Sequence, residues 1–254
     1  MHHSHWIRIL SLLLLSGFSL KSIASDEASE RAFVEGVLEK YIDSQGGREL
    51  LSTVTSFEMK GTMSLESQGI EIPVVQRIQA PDKVMTTREF PAFGTIREVL
   101  NGNAGWEWHP LAGERPLDEA EVKDLLKDSD LQRDLKLFDV YESIRLGPPE
   151  TIEGYDTIHL IFLDEDGKEE HWYFKENGDL FQKIHTVTAG AASEFESTER
   201  FYDFETHQGF RFARRIEYIN PAYTAKLTIS LCLINQEFDP AIFELPAAIN
   251  LEGN

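Results

Sequence analysis

The chain has 254 residues, with 44 acidic against 24 basic side chains, a formal net charge of −20 and one cysteine. A surface of that sign repels nucleic acid and anionic headgroups, and no nucleic-acid partner is expected. A lone cysteine excludes an internal disulfide, so the core alone must carry the stability.

Arg8 precedes the apolar run ILSLLLLSGFSL, which Lys21 closes. The run is too short to span a bilayer and has the length of the h-region of a secretory leader. The small residues of KSIAS predict cleavage after Ala24 or Ser25, so residues 1–25 are set apart and 26–254 are read as one domain. Cleavage removes Arg8 and Lys21 and no acid, taking the charge to about −22. No cysteine follows the run to carry a lipid, because Cys232 is the only one. With no later apolar segment, the expected mature product is exported, soluble and without a transmembrane segment. His2, His3 and His5 fall in the leader and are read into no metal site.

From Asp26 to Leu51 the spacing is helical. Phe33, Val37, Leu38, Tyr41 and Ile42 recur at three- and four-residue intervals, with Asp26 and Ser29 available as N-caps. SQGG stops that helix, and RELLS forms a further helical turn. At Thr55 the period changes to two. Phe57, Met59, Gly61, Met63 and Leu65 share one face and charged or hydroxyl residues the other, the pattern of a half-buried antiparallel strand. Strands follow at Gly69–Gln79, Lys83–Phe90, Thr95–Leu100 and Gly105–His109. The stretch from about 117 to 145 reads as an insert of one or two amphipathic helices, capped by Asp118, with Val122, Leu125, Leu126, Leu135 and Phe138 apolar. After GPPE, strands resume at Thr157–Leu163, Lys168–Phe174, Leu180–Thr188, Glu194–Glu205, Phe210–Ile219 and Ala225–Asn235, with DEDG and KENGD as hairpin turns. The fold class is mainly β (α+β). One antiparallel sheet of about eleven strands is too wide to stay flat and must curl around the helices to bury its apolar face.

Chemistry is sparse. No nucleophile elbow, zinc-protease helix, phosphate loop or dinucleotide fingerprint occurs. Gly46-Gly47 lacks the preceding strand and the Lys-Ser/Thr of a phosphate loop and reads as a helix stop. His159, His171 and His185 lie on three consecutive strands. A two-residue turn at Asn177-Gly178 sets His171 opposite Ile184, so His185 faces the other way and the two cannot share an ion. The three are read as isolated strand histidines. Carboxylates are too many for a catalytic pair to be singled out. No catalytic residue, metal or cofactor is expected, and the chain is read as a non-enzyme.

What stands out is the amount of bulky apolar surface on single strand faces. Trp106 and Trp108 project together, Phe210, Phe212, Ile216 and Tyr218 share a face, and Leu227, Ile229, Leu231 and Leu233 make another row. Each row alone is ordinary core. Together they exceed what short helices can fill, as in curved sheets that hold a hydrophobic ligand. Arg214 lies in the middle of one row. It either takes a partner, from the protein or from a ligand, or is turned outward by a bulge at Arg214-Arg215.

These segments resemble the LolA-like family of periplasmic outer-membrane lipoprotein-sorting proteins. The resemblance is carried by YIDSQGGRELLSTVTSFEMKGTM, GNAGWEWHPLAGERPL, GFRFARRIEY and EFDPAIFELP in that order, spanning nearly all of residues 30 to 246. It implies an open, incomplete antiparallel β-barrel wrapped over helices with a hydrophobic cavity between them. It also implies a role in lipid or lipoprotein handling in the periplasm of a Gram-negative bacterium. No position here matches the carrier's lid-locking arginine.

The expected function is a periplasmic carrier or binding protein for a lipid or an acylated protein. The expected lining is Phe57, Met59, Met63, Leu65, Trp106, Trp108, Phe210, Phe212, Arg214, Tyr218 and Ile229, with the helical stretch from Leu125 to Phe138 as a movable lid. The alternatives are an envelope module with a self-filled core that binds a protein partner and, from a third class, an envelope hydrolase.

Overall fold

A computed structural model of the chain describes residues 17–189 and 193–246. The first sixteen residues of the expected leader lie outside that range. Helix α1 (Gly17–Ser44) runs through the expected cleavage point, so Asp26 and Ser29 lie within the helix and do not cap it. Its buried stripe is Val34, Val37, Leu38, Tyr41 and Ile42, while Phe33 is exposed. Stepping by three and four from Val34 selects the face opposed to the sheet, and Phe33 falls just outside that arc. Gly46, at φ 127°, turns the chain into α2 (Gly47–Ser52). A Cβ on Gly46 would lie 2.5 Å from the Gly209 carbonyl oxygen, so the glycine also lets α1 abut the sheet.

Among the described residues, fourteen antiparallel strands form an open sheet. They are β1 (Ser56–Leu65), β2 (Ile70–Gln79), β3 (Lys83–Phe90), β4 (Gly94–Asn101), β5 (Ala104–His109), β6 (Gly113–Pro116), β7 (Ser143–Leu146), β8 (Glu150–Ile152), β9 (Tyr155–Leu163), β10 (Glu169–Phe174), β11 (Leu180–Ala189), β12 (Ser193–His207), β13 (Phe210–Ile219) and β14 (Thr224–Ile234). The order is β6-β5-β4-β3-β2-β1-β14-β13-β12-β11-β10-β9-β7, with β8 also on β9. The short strands β6, β7 and β8 account for the excess over the number expected. Within residues 117–145, α3 (Glu119–Ser129) is followed by a single turn at Arg133–Lys136 and by α4 (Leu137–Val140), where helix ends. Ser143–Leu146 then pairs with β9 as an edge strand. The capping box at the start of α3 is complete, with Asp118 accepting from the Glu121 N–H and Glu121 from the Asp118 N–H.

The helices lie on one face of the sheet. α1 and α4 cover Leu160, Phe162, Trp172 and Phe174 of the β9–β11 end. α3 and the segments beside it place Leu117, Leu125 and Leu131 over Ile78, Val84 and Leu100 of the β2–β4 end. On the outer face, the C-terminal turn Pro240–Phe243 packs Phe243 on Met85, Val99 and Trp106. Arg97 and Asn101 donate to the Ile242 and Phe243 carbonyls at 2.6 and 3.1 Å and hold it there.

His171 stands opposite Ile184, as expected, and His185 falls on the other face. His159 and His171 are nevertheless not isolated. Diagonal neighbours on the outer face, they join Nε2 to Nδ1 at 2.9 Å, and His159 Nδ1 reaches the Pro148 carbonyl at 3.2 Å. With Nδ1–H of His159 given to Pro148, Nε2 accepts from His171. Burial holds His159 below its ordinary pKa, so it stays neutral and pins the β7–β8 connection to the sheet. Among the described residues no group of three or more His, Cys, Asp or Glu side chains could hold a metal ion.

Candidate functional site

Between the two helix-covered ends, the inner face carries an apolar strip built from strand residues alone. Met59, Ile72, Val74, Leu227, Ile229 and Cys232 are its buried members. Half-buried side chains flank them along its length: Phe57 and Phe210 at one end, Phe212 and Ile216 midway, and Met63, Leu65, Ile70, Phe90 and Tyr218 at the other. No described helix residue belongs to this cluster. The register explains the face. Phe57 stands opposite Ile78, which packs under α3, and alternation from Phe57 carries Met59, Gly61, Met63 and Leu65 along the same side.

β14 joins this face only in part. Its pairing with β1 slips by one residue between Lys60–Leu231 and Gly61–Ile229. The extra residue sends Leu231 and Leu233 outward and brings Cys232 inward, against the expected row of Leu227, Ile229, Leu231 and Leu233. A Cβ on Gly61 would meet the Thr228 carbonyl oxygen at 2.6 Å, so the glycine is what the bulge requires. Burial pushes the Cys232 thiol up to about 12, which leaves it unreactive packing.

Eight of the eleven expected lining residues, Phe57, Met59, Met63, Leu65, Phe210, Phe212, Tyr218 and Ile229, therefore sit together. Trp106 and Trp108 do not. Val99 pairs with Trp106 on the outer face under Phe243, and Trp108, two residues on, is exposed. Alternation places the two tryptophans together, as the sequence says, but cannot say on which side. Arg214 has protein partners. The β13–β14 ladder begins at Arg215–Thr228, and just beyond it Arg214 Nε donates to the Ile229 carbonyl at 3.2 Å while Nη1 meets Glu205 at 3.1 Å. Its half-exposed side chain thus ties β13 to β14 and β12 at the point where the β13–β14 ladder stops.

Helix α3 lies across the concavity among four cavities of about 890, 330, 150 and 280 Å³. The largest runs between α3 and the β5–β6 edge, against Gly105, Pro116, Leu117, Val122 and Leu126. The 280 Å³ cavity opens at the foot of the strip, between Phe57, Ile78 and Phe210 of the sheet and Leu51, Leu131 and Asp128 opposite.

Charged groups meet at one side of the strip. Glu170 on β10 accepts from the Tyr141 hydroxyl at 2.9 Å and the Trp172 indole N–H at 3.0 Å, and pairs with Lys183 at 3.2 Å. Arg133 donates to the same tyrosine at 3.0 Å. Burial alone would raise the Glu170 pKa, but Lys183, the two donors and Arg133 hold it at about 2. Asp128 is the opposite case. It is exposed on α3 and makes no hydrogen bond or ion pair with a described residue, yet the protein packed on its sheet-facing side, together with Asp124 and Glu98, pushes its carboxyl up to about 6 against the pull of Lys183 and Arg133. Burial likewise raises Glu199 and holds neighbouring His185 down at about 4, so their 3.6 Å contact joins a carboxyl to a neutral imidazole.

A raised carboxyl pKa disfavours the folded state above that pKa, and the penalty fades as pH falls towards the unfolded value. Asp128→Asn is therefore expected to melt higher than the parent at pH 7–8. Discounted for exposure, the gain is about 1 kcal/mol at most, or roughly 2–4 °C. The difference should close below about pH 4. A constant difference from pH 8 to 4, by circular dichroism, would show that Asp128 does not titrate as described.

No family model and no curated protein matches the sequence. Among solved structures, a DUF1329 family protein from Desulfovibrio piger is similar at 12% identity, covering 85% of this chain and 98% of that one, with a TM-score of 0.57. A LolA superfamily protein from Nitrosomonas europaea is similar at 12% identity, covering 84% and 97%, with a TM-score of 0.52. At such identity the likeness is one of fold. The chain has the open LolA-like half-barrel over helices that the sequence resemblance implied.

Proposed function

We propose that the protein is a non-enzymatic carrier or binding protein for a hydrophobic ligand, a lipid or the acyl group of a modified protein. We place it in the periplasm after removal of a leader near residue 24 or 25. The observation that carries the reading is the strip from Phe57 to Leu65 and from Phe210 to Tyr218, an apolar inner surface with no described helix residue in its cluster. Acyl chains laid along it gain about 0.8 kcal/mol per buried methylene. α3 is the cover. Its far attachment is the Arg133–Tyr141–Glu170 network, while the cavities beside Val122, Leu126 and Lys127 leave it room to shift. The similarity in fold to a LolA superfamily protein supports the reading by analogy alone.

The test is uptake of a dispersed fluorescent fatty acid, with native mass spectrometry of the gently extracted protein. Saturable one-site uptake, or a co-purified lipid, is the expected result. An empty protein that also fails to take up the probe would end the carrier reading.

A further inference from the structure

With the strip taken as the ligand site, as this step requires, we propose that the bound amphiphile ends in a primary amine, whose ammonium group is held by Glu199, Tyr218 and Asp128. Glu199 and Tyr218 stand directly opposite each other on β12 and β13, so both side chains lie on one face of the sheet. That face is the inner one, because Tyr218 packs on the strip. Glu199 therefore borders the apolar surface. Asp128 comes from α3 and lines the 280 Å³ cavity with Phe57 and Phe210, at the foot of the same strip. Its charge reaches both the Glu199 carboxyl and the Tyr218 hydroxyl.

The cations that act on these three groups are Lys183, Arg133 and Arg88, and each is already matched. Lys183 pairs with Glu170 at 3.2 Å, and Arg88 with Glu98 at 3.6 Å. Arg133 donates to the Tyr141 hydroxyl, which is bonded in turn to Glu170. Two carboxyls are left over. Neither Asp128 nor Glu199 makes a hydrogen bond with a described residue. The ion-pair contact of Glu199, 3.6 Å to His185, is to an imidazole that burial keeps neutral, so it supplies no counter-charge. The Tyr218 hydroxyl likewise has no hydrogen-bond partner among the described residues. Polar groups that face protein without a partner are costly, and a ligand that matches them recovers the cost on binding. A primary ammonium does so, with one positive charge and three N–H donors for two carboxylates and a phenol oxygen. A carboxylate head would meet two like charges, and a hydroxyl head would leave them uncompensated. The ammonium also attracts Asp128, the member of the group that α3 carries, and so draws the cover towards the strip.

The experiment is calorimetric titration of the full mature chain with decylamine, decanol and decanoate at pH 8, repeated on the variant Asp128→Asn/Glu199→Gln. The parent should bind the amine at least about tenfold more tightly than the alcohol, with decanoate weaker still. In the variant, amine and alcohol should come within about threefold of each other. Both substitutions remove carboxyls whose charge the fold disfavours, so the variant is expected to fold, and its binding of decanol shows that it has. The variant loses two of 44 acidic side chains, so a preference due to overall charge alone would survive in it. Survival of the preference would overturn the proposal. So would loss of decanol together with the amine, since the carboxyls would then serve the fold and not the head. Equal binding of the three compounds by the parent, or tighter binding of decanoate, would overturn the amine while leaving the strip as a ligand site. If none of the three bound the parent, the strip and the head site would fall together.

Discussion

Glu170→Ala is expected to lower the melting temperature by roughly 6–20 °C. The carboxylate is mostly buried and meets Lys183, Tyr141 and the Trp172 N–H at once, with Arg133 behind the tyrosine. Removing one partner of a buried pair leaves the other charges desolvated and unmatched, at a cost of about 3–5 kcal/mol. In a domain of this size each kcal/mol is worth roughly 2–4 °C. The pH dependence separates this from simple loss of packing. A carboxyl whose folded pKa is depressed to about 2 stabilises the fold fully above its unfolded value near 4.5 and loses that stabilisation as pH falls between the two. The gap between parent and variant should therefore be widest above pH 5 and shrink towards pH 2. Glu170→Gln keeps the shape and one acceptor, and should fall between the two. If Glu170→Ala melted within 2 °C of the parent, the network would not be the anchor of the helical segment.

How this network escapes the sequence while the fold does not is a matter of range. Alternation from Phe57 to Leu65 and from Phe210 to Tyr218, with Asp-Gly and Asn-Gly turns, is local information and is enough for a curled antiparallel sheet. Even there, one agreement has a different cause from the one read. Lys175 closes on Asp179 around a three-residue turn, and a slip between Tyr173 and Phe174 restores the His171–Ile184 pairing that a two-residue turn would have given. The slip in β14 has no such compensation, so Leu231 and Leu233 leave the inner face. Tyr141, Glu170, Lys183 and Arg133 come from four separate segments, and nothing in their own neighbourhoods marks them as partners. The His159–His171 bond is diagonal, two residues off the direct pairs, and so escapes a reading that compares only opposed residues. For Trp106 and Trp108, their common side was readable. What decides between the two sides is the C-terminal turn that brings Phe243 onto the outer face, more than 130 residues later.

The same division between inner and outer face supplies the sharpest test of the ligand site. Met63→Ser/Phe212→Ser is expected to weaken uptake of the dispersed fatty acid about 100-fold. Both side chains are half-buried members of the strip, at its far end and its middle, so each still has apolar area to offer a ligand. Completing the burial of a side chain of this size is worth about 1–1.5 kcal/mol at half the full transfer value. Two such losses approach 3 kcal/mol, and every 1.4 kcal/mol is tenfold in affinity. Trp108→Ala removes a larger ring from the outer face and should leave uptake within about twofold of the parent. Any fall in stability from the double variant is read separately from its melting curve, and uptake is measured well below its midpoint. Should Trp108→Ala lose as much affinity as the double variant, the ligand would lie on the outer face and the strip would be core that the helices leave uncovered. If only the double variant loses it, the acyl chain lies where β1, β13 and β14 turn their alternate residues inward.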